Sequence, residues 1–314
     1  MSKKVSLVTN SKVACGIHGY ALSALSVLEG STDYRYKLVK VPSNQTADFY
    51  VEFLNNQPSD IILLNHCTWT MPWLTGNVLD GLKKPVFMMT GHDHVYQAVS
   101  QIKHIFVVDP TFENTTTHSA LPRPITMYPD IANAPIDGPF RVGTFGFGQH
   151  TKRMEHIVIM LNEQIKDMPV EFHMQIGEGD YINDSKDDDI IDECQRIAHD
   201  NVTIHPHKGF IHSRQDLANW LNQNHINVFV YKDQPNRSAV SSCLDVALSA
   251  CRPIAIRRSS MFKHAQHVTD IVLGKNNTIR DIYNKGTEPL EALRNAWTPS
   301  AYRAVIENKF KELL

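Results

Sequence analysis

Apolar and polar positions along the chain fall into two kinds of segment that alternate almost throughout. Short β-branched or apolar runs recur in the first half ("KVSLVT", "YKLVKV", "DIILLN", "PVFMMT", "HIFVVD") and in the second ("FRVGTFG", "VEFHMQI", "NVTIHP", "INVFVY", "RPIAI", "DIVL"). Between them lie stretches whose apolar residues are spaced three and four apart, the spacing of one helix face. Strands separated by helices of this size build parallel sheets covered on both faces. The pattern predicts an α/β protein of two Rossmann-like, doubly wound domains facing a cleft. The seam is "YPDIANAPIDGPF" (128–140), where three prolines and a glycine interrupt both periodicities. This places an N-terminal domain at 1–136 and a C-terminal domain at 137–297. The tail holds "LEALRNAW" and then a Thr-Pro-Ser start at 298–300. Its last helix, 298–314, is expected to pack back on the first domain.

Length and composition agree with that picture. The chain has 314 residues, 42% hydrophobic and 20% charged, enough for two real cores. No apolar run approaches the roughly 20 residues that cross a bilayer, so no stable membrane insertion is expected. The start "MSKKVSLVTN" enters a strand without an apolar signal region, which points to a cytoplasmic protein. Five scattered cysteines, never in a Cys-x-x-Cys pair, argue against a disulfide framework and a structural zinc site. A formal charge of −2 with no Lys/Arg block announces no electrostatic DNA-binding surface. Sixteen histidines are many for this length.

Each half places glycines between its first strand and a helix. In the first, Gly16 and Gly19 precede a helix with Leu22, Leu25 and Leu28 on one face. In the second, Gly143, Gly146 and Gly148 precede a helix with Met154, Ile157, Val158 and Leu161 inward. Such turns let backbone N–H groups and a helix N-terminus approach an anion; they also serve simply as tight turns. The second spells Gly-x-x-Gly-x-Gly, not Gly-x-Gly-x-x-Gly, and no carboxylate ends the next strand in a ribose-binding position. Both points weaken a dinucleotide site. Lys152 and Arg153 follow the glycines. A cation at a helix start opposes the helix dipole unless a phosphate lies between; the alternative is a solvated surface charge.

The stretch "NVFVYKDQPNRSAVSSCLDVALSACRPIAI" (227–256) offers a second anion site. Ser241 and Ser242 stand at the start of a small-residue helix, where they cap its N–H groups or leave them to a phosphate. Asp245, one turn in, complements the dipole or accepts from a ribose diol.

Together these segments resemble the retaining GT-B glycosyltransferases, the group 1 or family 4-like enzymes that use nucleotide sugars. "GTFGFGQHTKR" is similar to that family's glycine turn with a basic pair, and "CGIHGYA" to its first glycine loop. "FVYKDQPNRSAVSSCLDVALSACRPIAI" and the preceding "HKGFIHSRQDLANWL" resemble its donor-binding unit. The resemblance spans both domains and is strongest over 141–260. It implies a metal-independent transfer with retention from a nucleoside-diphosphate sugar and no further cofactor. The donor would lie against Gly16, Gly19, Gly146, Gly148, Ser241, Ser242 and Asp245, with Lys152 and Arg153 on the leaving diphosphate. The family's two glutamates stand eight apart, yet eight before Asp245 is Arg237. The first carboxylate is absent or displaced to Asp233, and Cys251 replaces the family's small residue before Arg-Pro. The resemblance also carries a sugar-contacting histidine onto His92, with His94 as the alternative. His205, His207 and His212 fall around the family's base-holding loop.

The Asp-x-Asp in "SKDDDIIDE" (185–193) opens an amphipathic helix rather than following a buried strand, so it reads as dipole complement. His-Asp-His at 92–94 has metal-ligand residue types but no further partner nearby. The acceptor stays open among glycan, lipid-linked sugar, small molecule and modified nucleic-acid base. Alternatives on this architecture are a nucleotide-sugar epimerase, an NAD-dependent enzyme, or a catalytically silent nucleotide-sugar-binding module.

Overall fold

The apolar runs of the first half form a six-stranded parallel sheet in the computed structural model, which describes residues 2–91, 101–177, 179, 186–234 and 239–314. Its strands are β1 (Lys3–Asn10), β2 (Tyr34–Val41), β3 (Ile61–His66), β4 (Val86–Thr90), β5 (Ile102–Val107) and the short β6 (His118–Ala120). Helices α1 (Gly16–Leu28), α2 (Ala47–Asn55) and α3 (Gly76–Asp80) lie between them. The strand order β2-β1-β3-β4-β5-β6 is flavodoxin-like. β3 and β4 are buried along their whole length, as strands covered on both faces must be, whereas β2 alternates because it is an edge.

The second half forms a five-stranded parallel sheet. Its strands are β7 (Phe140–Phe147), β8 (Val170–Gly177), β9 (Val202–Lys208), β10 (Ile226–Phe229) and β11 (Ile254–Ile256). Helices are α4 (Met154–Gln164), α5 (Asp187–Ile197), α6 (Arg214–Asn222), α7 (Cys243–Ser249), α8 (Ile279–Asn284) and α9 (Glu291–Ala296), and α10 (Pro299–Leu313) ends the chain. The order β11-β10-β7-β8-β9 is the five-strand Rossmann arrangement, read from β9 as third-second-first-fourth-fifth. "DIVL" does not extend this sheet: it holds a single 3-10 turn and one isolated bridge, Ile256 to Val272.

The chain divides into two units. Unit 1 holds residues 1–124, residues 239–240 and residues 297–314; unit 2 takes the remainder from Ile125 to Ala296. The proline-rich segment therefore belongs to unit 2, for a visible reason. Buried Arg252 donates to Asn133 Oδ1 (2.9 Å) and the Ala134 carbonyl (2.7 Å), and Asn222 Nδ2 donates to the Ala132 carbonyl. Backbone carbonyls left open by the prolines are thus satisfied. Within unit 1, α10 contributes Tyr302, Ile306 and Phe310 to the same core as α1 and the facing side of the sheet.

In unit 2, Met154, Ile157, Val158 and Leu161 of α4 all pack inward against β7, β8 and α5. In unit 1 the expectation for α1 needs correcting. The helix begins at Gly16, so Gly16 and Gly19 lie in its first turn rather than before it. The buried face is Tyr20, Ala21, Ala24, Val27 and Leu28, and Leu22 is 42% exposed. Gly143 is likewise no part of a turn. It sits inside β7, where a Cβ would collide with the buried Asn224–Asn227 amide pair.

Cys251 follows α7 with φ +54°, the left-handed conformation that glycine occupies most easily at a helix C-terminus. Cys251→Gly is expected to raise stability by about 0.5–1 kcal/mol, seen as a higher denaturant midpoint with unchanged slope.

Candidate functional site

Ligands of doubly wound sheets bind outside the C-terminal strand ends at the point where strand order reverses. In unit 2 that point lies between β7 and β10, and the segments leaving these two strands carry most of the predicted residues. Gly146 is still within β7, paired with Ile176, rather than in the turn the sequence suggests; after the strand the chain passes Gly148 into a 3-10 turn, His150–Lys152, and then α4. After β10 come Tyr231, Lys232 and Asp233. The two segments are joined by the Lys232 N–H donating to the Thr151 carbonyl at 2.8 Å.

Lys152 is the centre of this arrangement. Its stem packs over Gly146, 3.4–3.5 Å from where a Cβ would stand, an ordinary van der Waals contact. Its ammonium sits 3.8 Å from the centroid of the Tyr231 ring, a cation–π contact that fixes the charge at the switch point. Tyr231 is buried and its hydroxyl donates to the Phe145 carbonyl at 3.3 Å. Burial raises the Tyr231 phenol well above its ordinary range. Burial likewise pushes the neighbouring Cys243 thiol up, against the pull of Lys152. Both therefore stay protonated beside Lys152.

Arg153 takes φ +53° at the N-cap of α4. A non-glycine residue there is strained by roughly 1–2 kcal/mol, and its charge opposes the helix dipole. Two unfavourable local choices thus fall on one residue. Its guanidinium lies 2.5 Å from His156 Nε2. Burial first, and then Arg153, lowers the His156 pKa. Arg257, at the end of β11, acts on the same imidazole and was not singled out from the sequence.

The backbone amides contribute less than the glycine count suggests. The N–H groups of Gln149, Lys152, Arg153 and Ser241 already donate to Phe147, Gln149, His150 and Met261 carbonyls. Ser242, the N-cap of α7, makes no side-chain cap bond, and Ser241 Oγ contacts the Cys243 sulfur at 3.1 Å. Charge at this edge comes chiefly from side chains. Asp245 is buried in the first turn of α7. Asp233 is exposed and accepts from the Ser260 N–H at 2.7 Å, a bond that lowers its pKa. It thereby ties the loop after β10 to the turn after β11.

Near the end of β7, Phe147 stacks on Phe210 at 6.1 Å and 14°, and Phe210 meets the His212 ring edge-on. Of the three histidines expected near a base-holding loop, only His212 stands in this aromatic group; His205 and His207 lie on β9. Residues 187–189 open α5 as the sequence suggests, and Asp188 pairs with Lys208.

Unit 1 has its own reversal point between β1 and β3. Asn10 ends β1, buried, with its Nδ2 unpaired. Gly16 and Gly19 follow, and a Cβ on either would meet open space, so packing does not require them to be glycine. After β3, Asn65 Nδ2 holds the Ile17 carbonyl at 2.7 Å, and Trp69 projects with 77% of its surface exposed. Trp69 was missed in the sequence because one aromatic residue in a loop has no periodic signature. His92 and His94 lie outside the described residues.

No protein-family profile matches the sequence, and no curated protein matches it. Solved structures do. A sucrose-phosphate synthase from Thermosynechococcus elongatus superposes with TM-score 0.69 at 11% identity, covering 99% of each chain. The lipopolysaccharide outer core galactosyltransferase WaaB gives 0.63 at 11%, covering 99% of this chain and 100% of that one. An alpha-glucosyltransferase in complex with UDP-glucose and DNA containing an abasic site gives 0.58 at 11%, covering 100% and 95%. At such identities the likeness concerns architecture: the chain has the GT-B type of fold, two parallel-sheet Rossmann-like domains.

Proposed function

We propose that the protein is a glycosyltransferase that moves a sugar from a nucleoside-diphosphate sugar with retention and without a metal at the diphosphate. The observation that carries this reading is Lys152, held by Gly146 and the Tyr231 ring at the reversal point of the unit 2 sheet. As the glycosidic bond to the diphosphate breaks, negative charge grows on the leaving oxygens while the sugar becomes oxocarbenium-like. A preorganised cation stabilises that charge more than it stabilises the intact donor. Lys152 supplies it, with Arg153 and Arg257 nearby. Retention then follows from front-face attack, the diphosphate itself taking the acceptor proton. Asp245 is assigned to the ribose, and the Phe147–Phe210–His212 group to the base.

Asp233 is a poor choice for the donor sugar, since its carboxylate already serves the Ser260 N–H. Loss of the family's first carboxylate keeps a second reading open, a nucleotide-sugar-binding module without turnover. Thermal shift against nucleoside diphosphates, nucleotide sugars and NAD, followed by donor hydrolysis, separates the readings. Stabilisation by diphosphates together with sugar release supports the enzyme. Stabilisation without release supports the module, and a response to NAD alone overturns both.

The acceptor is assigned to unit 1, where Trp69 offers a flat apolar face for a sugar ring or a base. Trp69→Ala is expected to raise the acceptor KM roughly tenfold, equivalent to about 1.4 kcal/mol, while donor hydrolysis stays unchanged.

A further inference from the structure

The sheet face of unit 2 that turns away from α4 and α5 carries a group the donor reading does not use. β8 alternates Phe172, Met174 and Ile176 into the core with Glu171, His173 and Gln175 on the other side. On β9, His205 pairs in register with His173, and His207 with Gln175. The His173 and His205 rings stack with centroids 4.8 Å apart, and Glu171 stands on the same face. Ordinary edge-strand solvation explains a polar face, but not the state of His205: its Nε2 is buried and has no hydrogen-bond partner. A buried imidazole nitrogen without a partner calls for a proton donor, a water or a metal.

The geometry favours the metal. One ligand atom from each of Glu171, His173 and His205 lies within 4.8 Å of the others. Glu171 Oε2 and His173 Nε2 are 3.4 Å apart, which matches the edge of about 3.3 Å in a tetrahedron with metal–ligand bonds of about 2.0–2.1 Å. Arg141 Nε donates to Glu171 at 2.9 Å and orients the carboxylate, as groups around metal ligands do, while its charge limits the affinity. Two imidazoles and one carboxylate select a borderline divalent transition ion, and they disfavour Mg²⁺ and Ca²⁺, which take oxygen ligands.

We propose that Glu171, His173 and His205 bind one divalent transition-metal ion of the zinc, nickel or copper class, which staples β8 to the edge strand β9. His173 lies four residues before the end of β8, roughly 13 Å along the strand from its C-terminal edge, and His205 pairs with it on β9 three residues before that strand ends. The ion is therefore structural and takes no part in diphosphate departure.

The test uses full-length protein stripped with chelator, titrated with Zn²⁺ by calorimetry and followed by thermal unfolding. One equivalent should bind, raising the unfolding midpoint, with Mg²⁺ ineffective. Glu171→Gln and the double variant His173→Gln/His205→Gln should each weaken Zn²⁺ binding roughly tenfold or more and abolish the thermal shift. Equal affinity in wild type and double variant would assign the metal to other histidines and overturn the proposal. Should the double variant fail to fold, pulsed electron paramagnetic resonance on the Cu²⁺-loaded wild type decides: two coupled imidazole nitrogens support the site, and one or none overturns it.

Discussion

Lys152→Ala is expected to lower donor-dependent kcat/KM by about 10²–10³-fold, the loss typical of deleting one preorganised charge stabiliser at a leaving group. The reasoning is local. The ammonium is fixed on the Tyr231 ring at 3.8 Å, so no rearrangement is required to meet the developing charge. The side chain is only half-buried and its stem rests on Gly146, so its removal opens space without unpairing a strand. Stability should change far less than activity. Tyr231→Leu is expected to weaken the same step by a smaller factor, because the cation survives but loses its platform. Gly146→Val should mimic the lysine deletion by pushing the stem aside. Steady-state turnover and nucleoside-diphosphate affinity, measured on the three variants, check the ordering. Unchanged turnover in Lys152→Ala would remove the proposed role.

The sequence carried much of this arrangement and stopped short where pairing decides. Short apolar, β-branched runs mark the strands, and three-four spacing marks the buried face of α4, because each is a one-dimensional consequence of backbone geometry. On α1 the leucines alone point to the wrong stripe, because the sheet takes the small residues Ala21 and Ala24 together with Tyr20, Val27 and Leu28 and leaves Leu22 outward. Gly143 looked like a turn residue, but its reason is the Asn224–Asn227 pair some eighty residues later. Lys152 and Arg153 were legible as odd charges at a helix start. Tyr231 was not, since nothing in "NVFVYKD" says which ring a distant lysine will cover. The same limit hid the histidines: alternation on β8 and β9 was visible, but only the strand register sets His173 against His205. "DIVL" failed for the opposite reason, a strand-like composition without a free edge long enough to join.

The final helix makes the strongest stability prediction. Phe310 is fully buried in unit 1, 4.5 Å from the Phe87 ring and 5.3 Å from Tyr34. One turn and two turns earlier, Ile306 and Tyr302 enter the same core, and the Tyr302 hydroxyl lies 2.8 Å from that of Tyr20 on α1. Thr298 caps the helix by accepting from the Ala301 N–H, with Pro299 in its first turn, so the segment is preset to fold where its apolar stripe is needed. Phe310→Ala leaves a cavity against two aromatic rings and is expected to cost about 3–5 kcal/mol. In a unit of this size that lowers the thermal midpoint by roughly 10 °C. The exposed Lys311–Asp33 pair next to it provides the contrast, since a solvated ion pair contributes little and Lys311→Ala should leave the midpoint nearly unmoved. Because Phe310 belongs to unit 1 alone, affinity of unit 2 for nucleoside diphosphate should persist at temperatures where the variant is folded. Equal midpoints for wild type and Phe310→Ala would mean that α10 is not part of the unit 1 core in solution.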